Sequence, residues 1–428
     1  MEAAIARAEK RYQVNAARLM RRLEALARIG ANAQGGIDRQ LGSDADFQAR
    51  RWLAACWQEE LGLMVRADAI ANLWGTVPGA EAAGKPIFLG SHHDTVPNGG
   101  RFDGALGVLM ATEVLQTLRE NDVPLRHPIG VVSFTGEEPN SFSVSTLGTK
   151  VLSGRLGREE LDRLKDCNNG ERLETAIERL GGNMAQVDKA RLMKGRLAAF
   201  MECHIEQGRR LYDRGEAVAA VTCITGIYRE IITVVGEANH AGTTRLPDRR
   251  DALAAAAEVC LAVEDIMRKP EFSGVAATVG HIEVQPNASN IIPGEAGLTL
   301  DLRTAEPAKR QQALLVLGSA IEAIAARRQV TIRREVNLDQ AEMPMDAAVV
   351  AAIRDAAAAN GEAPRELVSM AGHDAANMAR LTRAGMLFVQ SVDGYSHCPR
   401  ELTYEPEIAR AAQVMLDAVL LLDRRLAV

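Results

Sequence analysis

The sequence predicts an α/β fold: a larger discontinuous domain, built on a mixed sheet flanked by helices, with a smaller domain inserted in it. Three observations point there. Short β-rich runs alternate with helical stretches of ten residues or more. Residues 215–335 carry their own order of strand, helix, strand, strand, helix, strand, a compact βαββαβ unit. Side chains suited to metal binding lie on both sides of that segment, so the larger domain combines 1–214 with 336–428.

Stretches rich in Ala, Leu, Glu and Arg predict helices over 14–28, 44–61, 104–120, 171–180, 249–268, 307–327, 346–359 and 408–425. Between them, β-rich runs predict strands at 86–89, 129–134, 199–203, 230–235, 276–283, 296–303, 329–335 and 386–389. The 428 residues suit two or three domains at roughly 150 residues each, two being the better fit. With 47% of residues apolar, a chain of this length buries ample core without disulfides. Its six cysteines are scattered with no CxxC pair and read as reduced thiols of a cytoplasmic protein. A net charge of −6 gives no basic field for a phosphate backbone, so no nucleic-acid partner is expected. No run approaches 18 apolar residues, so no membrane span is expected. The amino-terminal 30 residues carry charges throughout and read as an amphipathic helix rather than a signal peptide.

The chemistry collects at strand ends. The run 86–89 leads into Gly-Ser-His-His-Asp-Thr-Val, residues 90–96. In an extended segment His92 and Asp94 share a face and His93 points away. His92 is then a metal ligand, with Asp94 fixing its tautomer; the alternative is a strand-end histidine beside a capping aspartate. Asp103 sits in a Gly-rich loop before an apolar helix, where an N-cap is the plain assignment. Its position after the His92/Asp94 pair suggests instead a carboxylate bridging two ions about 3.5–4 Å apart. The apolar strand 129–134 ends in Glu137-Glu138, and two carboxylates at a buried strand end need a partner. Glu138 is assigned as ligand and Glu137 as general base. Residues 199–208 end a further strand with Glu202, His204 and Glu206. His204 is a ligand of the second ion, and the two glutamates stay open between supporting and surface roles. His397 follows strand 386–389, and the neighbouring Cys398 is a weaker alternative donor. This mixed nitrogen and oxygen set suits two zinc, manganese, cobalt or nickel ions and excludes a thiolate-rich structural site.

On these residues the chain resembles the M20 metallopeptidase clan and, within it, the amidase branch. That branch holds N-carbamoyl-L-amino acid hydrolases, allantoate amidohydrolase and β-ureidopropionase. The resemblance runs over residues 90–96, 102–104, 137–138, 201–208, 236–244, 286–293, 371–375 and 396–397. His204-Ile-Glu-Gln-Gly and Asn239-His-Ala-Gly-Thr-Thr are its branch-specific strings. It implies the same five ligands with Asp103 bridging, Glu137 as base, and a cis peptide between Asp103 and Gly104. It also implies a ferredoxin-like inserted domain acting as lid and homodimer contact. Gln207, His240, Asn290 and Arg303 match substrate contacts, some reaching the partner subunit's site, and Gly372 and His373 fall in another active-site loop.

The expectation is a di-metal amidohydrolase that cleaves the ureido or amide C–N bond of N-carbamoyl-L-amino acids. Glu137 moves the proton, His240 donates to the oxyanion, and Arg303 binds the substrate carboxylate. The rival readings are allantoate or ureidoglycolate hydrolysis, a dipeptidase of the same clan, and a non-catalytic ureide-binding relative. Three positions depart from the family pattern: Ser141 stands where Arg is usual, Met370 where Gly is, and His93 where an apolar residue is. They bear on the substrate rather than the chemistry. His127 and His281 have no supporting pattern and read as structural.

Overall fold

The computed structural model describes residues 12–79 and 84–427. The first eleven residues of the amphipathic amino-terminal segment lie outside the described residues. Its helix runs Ala16–Ala27, capped by the Asn15 side chain, which accepts from the Arg18 amide. The chain divides into two compact units. The first comprises the chain up to Thr222, Met345–Leu367 and the chain from His373. The second comprises Cys223–Pro344 and Val368–Gly372. Set beside the expected segment 215–335, the second unit begins later because residues 218–221 pair with the main sheet.

In the first unit the strands lie in the order Met64–Ala67, Leu73–Thr76, Ile129–Phe134, Ile87–His92, Ala199–Ile205, Arg383–Val389 and Val218–Ile224. The central four are parallel to one another. Antiparallel strands flank them on both sides. The central strands are buried along nearly their whole length, because a parallel sheet is covered on both faces and its strands read as continuous apolar runs. The helix Ala105–Glu120 packs on Ile87–His92 and Ala199–Ile205. The helices Ala347–Ala359 and Glu405–Arg425 pack on each other and on Arg383–Val389. The register sets His92 beside Phe134 and Ile205 beside Val389, which aligns the carboxyl ends of all four strands. In open α/β sheets that edge is where ligands bind. The strands Met64–Ala67, Leu73–Thr76 and Val218–Ile224 and the short helices Leu147–Leu152 and Asp374–Met378 add to the elements expected.

In the second unit the elements run Gly226–Val235, Ala252–Met267, Val275–Gln285, Glu295–Thr304, Pro307–Arg328 and Thr331–Gln340, a βαββαβ sequence. The sheet order is Thr331–Gln340, Gly226–Val235, Glu295–Thr304, Val275–Gln285, with every neighbour antiparallel. One face of the sheet is apolar: Ala296, Leu298, Leu300 and Leu302 alternate inward and join a core with Ala255, Val259, Leu317 and Ile321 of the helices. Among the described residues no helix is long and apolar enough to cross a membrane.

Candidate metal centre

His92 is the last residue of its buried strand, and backbone geometry fixes its ring. Nδ1 lies 3.1 Å from the Asp94 carbonyl oxygen and 3.5 Å from Asp94 Oδ1. A proton on Nδ1 donates to that carbonyl, which leaves the Nε2 lone pair facing inward. Nε2 is buried without a hydrogen-bond partner among the described residues and lies 3.4 Å from Asp103 Oδ1. His204 repeats the arrangement, with Nδ1 2.9 Å from the Ile205 carbonyl and Nε2 3.1 Å from Asp103 Oδ1. The Asp94 carboxylate does a second job: it accepts the amides of Glu137 at 3.2 Å and Glu138 at 3.1 Å. One aspartate thereby ties the His92 turn to the acidic pair.

Asp103 stands at the turn into the helix Ala105–Glu120. Its peptide to Gly104, expected cis, is trans; among the described residues the cis bond is Gln285–Pro286. Gly104 makes the turn instead, with φ of 62° and ψ of −51°. A Cβ at that position would overlap the His92 imidazole. Asp103 Oδ2 faces a different set from Oδ1. His397 Nε2 lies 3.5 Å away, the Gln207 side-chain amide donates at 2.7 Å, and the Ser396 hydroxyl is at 2.9 Å. His397 Nε2 is also 3.4 Å from Glu138 Oε1, which has no hydrogen-bond partner among the described residues.

Donor atoms therefore gather into two triads that share Asp103: His92, Asp103 and His204, and Asp103, Glu138 and His397. A third grouping is His92, Glu137 and Glu138, with Glu137 Oε2 3.7 Å from His92 Nε2. Buried imidazole and carboxylate atoms with no protein partner are what a divalent cation satisfies, so the residues present fit one. The electrostatics agree. Burial pushes the Glu138 carboxyl up to about 8, and the Asp103 charge adds to that. Burial also drives Glu137 well above the carboxylate range, with Glu138 adding and His92 opposing. Burial acts to raise Asp103 too, yet the His204, His397 and His92 imidazoles hold it well below its ordinary value. Buried carboxyls raised in this way are ones that a neighbouring cation would return to the charged form.

The other expected residues fall into two groups. In the first unit, Gln207 donates directly to Asp103, with its backbone in a left-handed conformation (φ 56°). The His373 ring stands edge-on to His204, centroids 4.4 Å apart, and burial lowers its pKa well below the usual value, so the imidazole is neutral. Glu202, left open above, is fully buried and accepts from the Ser91 hydroxyl at 2.7 Å and the Ala375 amide at 2.9 Å. Glu206 binds the Arg210 side chain and the Leu211 amide instead. In the second unit, the short strands Asn239–His240 and Ile291–Ile292 pair, and the Asn290 carbonyl accepts from the Ala241 amide. His240 Nδ1 accepts the amides of Gly242 at 3.0 Å and Thr243 at 3.2 Å, which places the ring proton on Nε2. Arg303 pairs with Asp301 at 2.7 Å and donates to the Met370 carbonyl at 3.0 Å. Gly372 is exposed, with open space around it.

The three departures have distinct surroundings. His93 turns away from the triads into a buried network, 2.8 Å from Asp46 and 2.6 Å from the Ser133 hydroxyl. Asp46 in turn pairs with Arg50 at 2.9 Å. The Ser141 hydroxyl donates to Asp166 at 2.5 Å, at the wall of a cavity of about 1020 Å³ that also holds Asn140 and Arg179. Met370 contributes its carbonyl to Arg303. His127, read as structural, pairs with Asp423 at 3.1 Å. Sequence reasoning missed Glu401, which accepts the Phe102 and Asp103 amides, and it gave Ser396 no role. Only the position of Glu401, four residues after His397, marked it.

Comparison with known proteins agrees with this geometry. The profile of Peptidase family M20/M25/M40 matches residues 88–421. The chain is 36% identical over 404 residues to an N-carbamoyl-L-amino acid amidohydrolase of Geobacillus stearothermophilus, covering 94% of this chain and 97% of that one. It is 32% identical over 401 residues to the allantoate amidohydrolase of Bacillus subtilis, covering 92% and 95%. The crystal structure of an amidase of the hydantoinase/carbamoylase family from Burkholderia multivorans superposes with a TM-score of 0.87 at 33% identity, over 97% of this chain and all of that one. The chain belongs to Peptidase family M20/M25/M40, a metal-dependent family, and is a hydrolase of amide or ureido C–N bonds alongside its carbamoylase-type relatives.

Proposed function

We propose that the chain hydrolyses N-carbamoyl-L-amino acids to the free amino acid, ammonia and carbon dioxide. The observation that carries the hydrolytic part is Asp103, whose two oxygens face two separate donor triads beside the buried Glu137. The substrate class rests on the 36% identity to the Geobacillus stearothermophilus enzyme. The two triads would each hold a divalent ion, zinc, manganese, cobalt or nickel, which when bound would supply Lewis-acid polarisation and acidify water.

The chain's own residues do the rest. Glu137 takes the proton of the attacking water and returns it to the leaving nitrogen. Asp94 keeps that carboxylate in place through the Glu137 amide. His240, with its proton on Nε2, donates to the developing oxyanion. Arg303, oriented by its pairing with Asp301, receives the substrate carboxylate. Asn290 and Gln207 hold the polar body of the substrate, and Gly372 and His373 are its further contacts in this reading. In this reading the second unit is the lid and the homodimer contact, through which His240 and Asn290 serve the partner's site. The six free cysteines accord with a cytoplasmic enzyme.

Replacing Arg303 with Ala is expected to raise KM for carboxylate substrates about 10–100-fold, the equivalent of about 1.5–3 kcal/mol for a charge-assisted hydrogen bond. Steady-state kinetics on the variant checks this, and an unchanged KM removes Arg303 from the site. A second reading, allantoate hydrolysis, is supported by the 32% identity to the Bacillus subtilis enzyme. An ammonia-release screen over carbamoyl amino acids, allantoate, ureidoglycolate and dipeptides, with manganese, zinc, cobalt and nickel compared, decides between them. Turnover of allantoate without carbamoyl amino acids would overturn the first reading.

A further inference from the structure

We propose that Glu401 is a positioning residue: a clamp that holds the Asp103 turn and the His397 loop at the spacing the Asp103/Glu138/His397 triad needs. This rests on the metal-dependent reading of the cluster.

The Glu401 carboxylate is only 4% exposed, and a buried carboxylate persists where donors satisfy it. Its donors come from both ligand segments. Oε1 accepts the Phe102 amide at 2.8 Å and the Asp103 amide at 3.0 Å. Oε2 lies 3.2 Å from the Ser396 hydroxyl, whose single proton is shared with Asp103 Oδ2 at 2.9 Å. Ser396 adjoins His397. One side chain therefore touches the backbone of one ligand and the neighbour of another, from parts of the chain 298 residues apart. Hydrogen bonds to a charged acceptor are the strong ones, which suits them to fixing a turn.

Two further observations point the same way. His397 is a non-glycine residue at φ of 56°, a conformation that persists only where the surroundings impose it. The Glu401 amide closes a turn onto the Cys398 carbonyl at 3.1 Å, which brings the glutamate back over that strained residue. Gly100 is the second. Its backbone is not in the left-handed region, yet a Cβ there would overlap the Glu401 carboxylate. Space for the clamp, not conformational freedom, is what this glycine provides. The side-chain hydrogen bonds of Glu401 reach Phe102, Asp103 and Ser396, the neighbour of His397, and none reaches His92 or His204 among the described residues, so the clamp acts unequally on the two triads.

The test compares wild type, Glu401→Gln and Gly100→Ala as full-length protein stripped by chelator and titrated with cobalt. Calorimetry counts the sites, visible absorption follows their geometry, and circular dichroism checks the fold. Wild type is expected to bind two ions. Each variant is expected to lose about 10–100-fold in affinity at one site, the magnitude typical when a residue supporting a ligand is removed. The other site should change less. Gly100→Ala keeps the carboxylate and only displaces it, so it carries the test if Glu401→Gln does not fold. Wild-type affinity at both sites in a folded variant, or an equal loss at both, overturns the clamp. A wild type that binds no divalent ion overturns the metal-dependent reading itself, and the clamp with it.

Discussion

Glu137→Gln is expected to lower kcat by about 10²–10⁴-fold, the usual share of a general base, while bound metal stays at the wild-type level. Glu137 is nearly isosteric with Gln, and its main-chain amide keeps its bond to Asp94 in the variant. Burial raises its carboxyl well above the ordinary value, with His92 opposing and Glu138 adding. The competing arrangement is specific: His92, Glu137 and Glu138 also form a group of donor atoms. Kinetics at saturating metal, with elemental analysis of the same sample, separates the two roles. Loss of an ion along with activity makes Glu137 a ligand and reverses its assignment with Glu138.

Asp103→Ala is expected to empty both triads and to cut kcat/KM by about 10³-fold or more, as the several kcal/mol supplied by bound ions disappears. His397→Ala touches one triad and should cost one ion. In the metal-free protein the loss of Asp103 has two opposed effects. The Asp103 charge raises both Glu138, to about 8, and Glu401, to about 7, in each case adding to the larger effect of burial, and removing it relieves that repulsion. The His204, His397 and His92 imidazoles nevertheless hold Asp103 well below its ordinary value, so its charge is net stabilising at neutral pH. Thermal unfolding near pH 7 should show stripped Asp103→Ala less stable than stripped wild type, with the stabilisation by added metal also gone. Two ions still bound to Asp103→Ala would exclude it as the shared ligand.

The central strands and the helices over them were legible because they are long, apolar and regular in period. Residues 129–134 and 199–203 read as buried strands and are so. Val218–Ile224 escaped because Ala-rich Val-Ala-Ala-Val-Thr-Cys-Ile lacks the bulk that marks a strand, and pairing with Arg383–Val389 and Met343–Pro344 makes it one. Met64–Ala67 is an edge strand, largely exposed, with no apolar face to betray it. At the centre, His92, Glu138 and His204 read as strand-end residues and Asp103 and His397 as loop residues, and the structure brings their donor atoms together. Glu401 was illegible for a physical reason. A glutamate that accepts main-chain amides leaves no pattern of its own, since any sequence supplies the donors. The Asp103–Gly104 peptide, which the resemblance implies as cis, is trans, and Gly104 stands at a φ of 62°.

The order of the central strands also governs when the centre can exist during synthesis. The triad of His92, Asp103 and His204 is complete once the strand Ala199–Ile205 has emerged. Its other neighbour in the sheet, Arg383–Val389, follows roughly 180 residues later. At about 5–20 residues per second, the ribosome needs on the order of 10–40 s to deliver it. For that interval the nascent chain offers one set of donors and an open sheet edge at Ala199–Ile205. A cation captured then would arrive before its neighbour, and the two positions would fill in the order the polypeptide is made.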